Sequence, residues 1–97
     1  EDLGFCGKGE APHFLSGKDM TIKGDFPHNT SGGQLSAGQA GAAGGFIGLV
    51  EAIRQVSQQA GGTQVGGAKI ALVSGFGMIN YDRGVCSGAA ILKAANP

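Results

Sequence analysis

The chain has no tryptophan, one tyrosine and five phenylalanines among its 97 residues. Bulky core-filling side chains are scarce, and a chain this small with so little bulk has a marginal core. It is expected to pack against more protein, either further parts of its own chain or a partner. Charge is sparse as well: seven basic and seven acidic residues give a formal net charge of zero. No Lys/Arg cluster exists, which argues against nucleic acid or an anionic membrane as the main partner. No apolar run approaches the roughly 18 residues that a membrane span needs. Two Cys and two His, scattered along the chain, do not make the four-ligand pattern of a structural zinc site, so no metal is expected. Cys6 and Cys86 have small neighbours and read as free thiols of a reducing, cytoplasmic setting, with a disulfide as the alternative. No secretory leader pattern is visible. The opening Glu1-Asp2-Leu3-Gly4-Phe5 reads as the middle of a longer chain, so a fragment or a processed product is expected.

What the chain has in abundance is glycine. Twenty glycines are roughly three times the average share of about 7%. They follow no collagen-like period, and 41% of residues are hydrophobic, so the chain is not a disordered one. The densest stretch runs from Asn29 to Gly45 and carries no charge. A loop this rich in glycine lets backbone pass where side chains would clash. Placed before a helix, it can aim free N–H groups at a ligand or a reacting carbonyl. The alternative is a loop that is small only because neighbouring elements pack tightly against it.

Residues 1–24 are punctuated by Gly4, Gly7, Gly9, Pro12, Gly17 and Gly24 and read as a frayed helix end followed by a surface excursion. Met20-Thr21-Ile22 is at best a short strand. Asp25-Phe26-Pro27-His28 enters the glycine loop extended, because the residue before proline avoids the helical region. A helical pattern runs from about Ala42 to Gln59. Phe46, Leu49, Val50, Ile53 and Val56 form one continuous apolar face, with Glu51, Arg54, Gln55, Gln58 and Gln59 on the other side. Gly44, Gly45 and Gly48 each cost such a helix roughly 1 kcal/mol against alanine, which points to close approach by another element or a ligand. Gly61-Gly62 is expected to stop it. Lys69–Ser74 and Val85–Lys93 read as two strands. The ten residues between them, Gly75–Gly84, are too many for a tight turn and too few for a helical crossover, so an antiparallel pair with a long shaped loop is expected. Residues 25–97 form the core of this reading.

The block Asn29-Thr30-Ser31-Gly32-Gly33-Gln34-Leu35-Ser36-Ala37-Gly38 is similar to the Asn-x-x-Gly-Gly-x-x-x-x-Gly block of the thiolase superfamily. Glu51-Ala52-Ile53-Arg54-Gln55 resembles the helix that follows it there. Asp2-Leu3-Gly4-Phe5-Cys6-Gly7-Lys8-Gly9-Glu10 resembles the branch containing lipid-transfer-protein and sterol-carrier-protein-x thiolases. The likeness covers nearly the whole chain. It implies an α/β fold, the C-terminal part of a thiolase: a mixed sheet, a buried glycine-rich helix and a terminal antiparallel strand pair. Other glycine-loop readings are weaker. Gly38-x-x-Gly41-x-x-Gly44 lacks the start, the preceding strand and the later acidic residue of a dinucleotide loop, and Gly7-Lys8-Gly9 lacks the spacing of a P-loop.

The resemblance implies an enzyme that makes or breaks a carbon–carbon bond next to a coenzyme A thioester. In such enzymes a Cys in the N-terminal half forms the acyl-enzyme, a Gly-His-Pro His activates it, and a late Cys moves a proton. This chain departs from the pattern at both C-terminal positions. Gly38-Gln39-Ala40 stands where Gly-His-Pro is expected, and glutamine can donate to an oxyanion but is no base. Ser74, before Gly75-Phe76-Gly77, stands where the late Cys belongs. Gln39 and Ser74 are therefore candidate catalytic positions. Tyr81 is a third, because some lipid-transfer-type members use tyrosines in retro-aldol cleavage of steroid side-chain CoA esters. Asn29, Ser31, Gly32, Gly33, Gly38, Gly75 and Gly77 are the expected substrate-loop residues. His28 reads as a turn histidine beside that loop. No bound cofactor is implied; the coenzyme A thioester is the substrate. Implied partners are the N-terminal thiolase portion, a second subunit in a homodimer, and a zinc-ribbon/OB-fold protein. The alternatives to a thiolase-like acyltransferase or CoA-ester aldolase are a catalytically silent acyl-CoA or lipid-binding protein, supported by Gln39 and Ser74, and a purely structural subunit.

Overall fold

The computed structural model describes residues 1–39 and 41–95; Ala40, Asn96 and Pro97 lie outside them. In chain order come α1 (Ala11–Ser16), α2 (Gln34–Ala37), a 3₁₀ turn (Gly41–Phe46), α3 (Ile47–Val56), a second 3₁₀ turn (Gly61–Thr63), β1 (Ile70–Asn80) and β2 (Arg83–Lys93). The strands pair antiparallel into a two-stranded sheet. A small α/β unit results, with α3 lying on β1 and touching β2.

Proline in the first turn of α1 suits a position whose N–H has no helical partner. Phe14 of this helix meets Phe5 and Phe26 with ring centroids 6.4 and 5.5 Å apart, and Phe5 stands edge-on to Phe26 at 5.2 Å. These rings tie the N-terminal segment to the extended stretch that leads into the glycine loop. The short strand expected at Met20-Thr21-Ile22 does not form. Asp19 Oδ1 accepts from the Thr21 N–H at 3.0 Å and Asp25 Oδ1 from the Asp19 N–H at 2.9 Å. Such side-chain acceptors compete with a strand ladder for backbone donors. The Phe26 and His28 N–H groups still reach the Asp19 and Met20 carbonyls, which lays the two stretches side by side.

The helical pattern expected from about Ala42 is divided. Its glycine-rich start is a 3₁₀ turn, and the α-helix begins at Ile47, as the poor helix propensity of glycine favours. The helix also stops earlier than expected. Gln58 takes a positive φ of 59°; its N–H bonds the Gln55 carbonyl at 3.1 Å and the Gln59 N–H bonds Arg54 at 2.7 Å. This is a Schellman ending with glutamine at the left-handed position. Gly61-Gly62 instead open the next 3₁₀ turn.

Burial on α3 does not follow the division into an apolar and a polar face: Leu49 and Val56 of the apolar stripe are half-buried, and Arg54, Gln58 and Gln59 of the polar side are exposed. Glu51, Ala52 and Gln55 are buried, whereas Phe46, Val50 and Ile53 are 61%, 52% and 47% exposed. The glycine loop and the segment around Thr63 fold over the polar side, where their donors and acceptors meet Glu51 and Gln55. Phe46 and Val50 of the apolar stripe share a shallow hollow with Ser31 and Ala37 and stay more than half exposed. Packing at Gly48 is close but not forced, since an added Cβ would sit 3.5 Å from Val73 Cγ1.

The long loop expected between the strands is also corrected. The ladder continues through Gly75 opposite Gly88 and Gly77 opposite Cys86, and Asn80 pairs with Arg83. Only Tyr81-Asp82 make the turn. Backbone pairing does not require side chains, so glycines that look like loop punctuation can sit opposite one another in a ladder. Cys86 is exposed and Cys6 partly so, and both are free thiols.

Candidate functional site

A groove of about 560 Å³ opens between the Phe26–Thr30 stretch, α3 and β1. His28, Asn29, Thr30 and Ser74 supply polar groups to it, Gly48, Glu51, Ala52 and Gln55 line it from α3, and Leu3, Phe5 and Phe26 make an apolar flank. The position of each wall follows from local structure. Pro27 keeps Phe26 extended, the aromatic trio fixes that stretch, and the β1 ladder carries Ser74, opposite Ala89, to the groove.

The glycine loop turns at Asn29, whose φ is 48°, a conformation that asparagine tolerates better than most residues. The Gly32 N–H closes the turn on the Asn29 carbonyl at 2.8 Å. Gly32 has φ 87°, and a Cβ there would stand 2.5 Å from the Ser36 Cβ; glycine is required at this position on both counts. Gly33 begins α2 and Gly38 ends it. The Gly33 N–H points to Ser31 Oγ at 3.4 Å and the Gly38 N–H to the Gln34 carbonyl at 2.9 Å. The N–H groups of Gly32, Gly33 and Gly38 are thus engaged within the loop, and the glycines contribute shape.

The candidate residues do not all converge. Asn29 and Ser74 line the same groove. Ser31 lines a separate hollow with Phe46 and Val50. Gln39 is exposed, with its Cγ against Gly44, and it lines neither recess; the adjoining Ala40 of the Gly-Gln-Ala step lies outside the described residues. Gly75 and Gly77 sit in the exposed part of β1. Tyr81 stands at the hairpin tip, 95% exposed with φ 61°, beside Asp82 and Arg83, which approach each other to 3.9 Å.

Sequence reasoning missed the polar cluster beneath the loop. Glu51 is 7% and Gln55 5% exposed. Glu51 Oε1 accepts from the Thr30 hydroxyl at 2.8 Å, from Gln55 Nε2 at 2.9 Å and from the Thr63 hydroxyl at 3.2 Å. Arg54 reaches Glu51 Oε2 at 3.4 Å. Gln55 Oε1 accepts from the Val65 N–H at 2.9 Å. Burial pushes the Glu51 carboxyl up, but the Gln55, Thr30 and Thr63 donors, with Arg54, together hold it below the usual carboxylate value. The sequence did hold a signal: Gly48, Glu51, Ala52 and Gln55 share one face at helical spacing, small and polar residues in alternation. Among the described residues, no three His, Cys, Asp or Glu side chains gather into a metal-binding group.

A family model described as thiolase C-terminal domain-like matches residues 1–91. The chain belongs to this family. Within it, a 17-hydroxy-3-oxo-4-pregnene-20-carboxyl-CoA lyase of Mycobacterium tuberculosis is 43% identical over 56 residues, which are 58% of this chain and 14% of the relative. An acetyl-CoA acetyltransferase of Methanothermobacter thermautotrophicus is 38% identical over 77 residues, 79% of this chain and 20% of that protein. Human sterol carrier protein 2 is 36% identical over 78 residues, 80% of this chain and 14% of its own length. This thiolase C-terminal domain-like chain therefore resembles the lipid-transfer branch, and it spans at most about a fifth of these curated relatives. No solved structure matches it.

Proposed function

We propose that this chain supplies one wall of the acyl-CoA site in a thiolase-fold enzyme that breaks a carbon–carbon bond by retro-aldol cleavage of a 3-hydroxyacyl-CoA. The observation that carries the reading is the groove shared by Asn29 of the glycine loop and Ser74 of β1. In this reaction a base removes the β-hydroxyl proton, the Cα–Cβ bond breaks, and Cβ becomes a carbonyl. The electron pair passes to Cα as an enolate of the thioester, which is then protonated. The Asn29 amide and the Ser74 hydroxyl are donors available to the thioester oxygen as charge develops on it. Gln39 and Ser74 favour this route over thiolysis, because neither side chain is a base or thiol of the kind that Claisen chemistry uses. The similarity to a CoA lyase supports the same choice. Coenzyme A thioester is here the substrate and not a resident cofactor.

The N-terminal portion of the thiolase fold covers the apolar stripe of α3 and supplies the base. Two substitutions in the complete enzyme test the groove: Asn29→Gly, which keeps the backbone conformation and removes the amide, and Ser74→Ala. Each is expected to lower kcat at least tenfold while the melting temperature stays within a few degrees. Undiminished turnover in both removes the groove from the reaction. A protein that binds acyl-CoA without turning it over is the second reading, favoured by the same two departures at Gln39 and Ser74.

A further inference from the structure

The geometry points to Glu51 as a positioning residue that holds the Asn29 side of the groove in place through Thr30. This inference rests on the proposed reaction for its consequence but on the hydrogen-bond network for its existence. Thr30 directly follows Asn29, and its hydroxyl is fixed by the buried Glu51 carboxylate at 2.8 Å. Gln55 Nε2, itself held to Glu51, lies 3.1 Å from the same hydroxyl. The same carboxylate oxygen accepts from the Thr63 hydroxyl at 3.2 Å, the Thr63 carbonyl accepts from Gln55 at 2.7 Å, and Arg54 reaches the other oxygen at 3.4 Å. Two segments far apart in sequence, the glycine loop and the turn after α3, are thus joined through one carboxylate on the helix between them.

The need for such an anchor is local. Asn29 occupies a left-handed backbone conformation, which a residue other than glycine keeps only when its surroundings hold it. The loop has a Ser31 side chain on another recess and an exposed Gln39. Thr30 is the loop residue whose side chain is tied to α3. Removing the anchor frees Asn29 to move relative to Ser74, and a displacement of about 1 Å at a reacting group can cost on the order of a hundredfold in rate.

The test uses the complete enzyme with Glu51→Gln and, as a milder change, Thr30→Val, which keeps the shape and removes the hydroxyl. Amide exchange at Asn29–Gly33 reads the anchor without reference to any reaction, and kcat and KM on a 3-hydroxyacyl-CoA read its consequence. Both variants are expected to exchange the loop amides at least tenfold faster and to lose at least tenfold in kcat with a smaller change in KM. The double variant is expected to be no worse than the poorer single one, because both break the same link. Unchanged loop exchange in the variants overturns the anchor. Faster exchange with undiminished kcat overturns its role in positioning. Should the wild-type enzyme turn over no CoA thioester, the proposed reaction fails, and loop exchange alone then decides whether Glu51 anchors the loop. If Glu51→Gln does not fold, Thr30→Val carries the same comparison.

Discussion

At the scale of single residues, the buried carboxylate of Glu51 has the largest consequences. Its folded value lies below the ordinary carboxylate one of 4.5. The stabilisation it contributes is therefore present above about pH 4.5 and is lost as pH falls through the lower folded value. Thermal melting of the wild type is expected to drop through that acid window, and Glu51→Gln to show a shallower drop; parallel pH curves contradict the network. Gly32→Ala is expected to destabilise by at least about 1–2 kcal/mol, the cost of a left-handed alanine, because the added methyl also meets Ser36. Gly62, with open space around its Cβ position and no positive φ, is the control, and its alanine variant is expected to be neutral within about 0.5 kcal/mol. Chemical denaturation of the two variants checks this contrast. Glycines of these two kinds look alike in a sequence. The loop as a whole was legible in the Asn29–Gly38 block, but which glycine is obligatory depends on where Ser36 lies.

At the scale of elements, α3 and the strand pair teach different lessons. The helix was legible from its 3.6-residue pattern, yet its buried side was not. Apolar periodicity says which face avoids water in the finished fold; it does not say which neighbours reach that face. Here the small and polar face of Gly48, Glu51, Ala52 and Gln55 receives the loop and the sheet. The helix end at Gln58 was hidden because the left-handed position carries glutamine, whose Nε2 bonds the Ala68 carbonyl at 2.8 Å, where glycine is the usual marker. The strand pair was legible at its apolar base, Ile70–Val73 and Ala90–Lys93, and hidden where Gly75 faces Gly88 and where Gly77 and Gly84 interrupt the strands. Gly48→Ala follows from the same packing. Its methyl meets Val73 at ordinary contact distance, so the variant is expected to gain up to about 1 kcal/mol from helix propensity. A loss of stability in denaturant unfolding means that the approach of β1 is tighter than this geometry.

For the whole molecule, openness is the governing property. The accessible surface is 7219 Å², against about 5,100 Å² for a folded monomer of this mass. The radius of gyration is 14.4 Å, against about 12.5 Å for a compact domain of this length. Among the described residues, the buried hydrophobic side chains are Ala52 and Ala60, while Phe46, Val50, Ile53, Phe76, Val85 and Ile91 face outward. The scarcity of bulky residues in the sequence led to the same expectation, because little core can be built from this composition. Expressed by itself, the chain is expected to bind a hydrophobic dye and to self-associate with rising concentration in sedimentation velocity. A compact, dye-silent monomer contradicts that expectation.

The most direct test of the central claim is product analysis with the complete enzyme, supplied either with a 3-hydroxyacyl-CoA alone or with a 3-ketoacyl-CoA plus free coenzyme A. Retro-aldol chemistry cleaves the hydroxy substrate to a carbonyl compound and a shortened acyl-CoA, with no free coenzyme A required. Cleavage confined to the keto substrate and dependent on free coenzyme A means thiolysis and contradicts it.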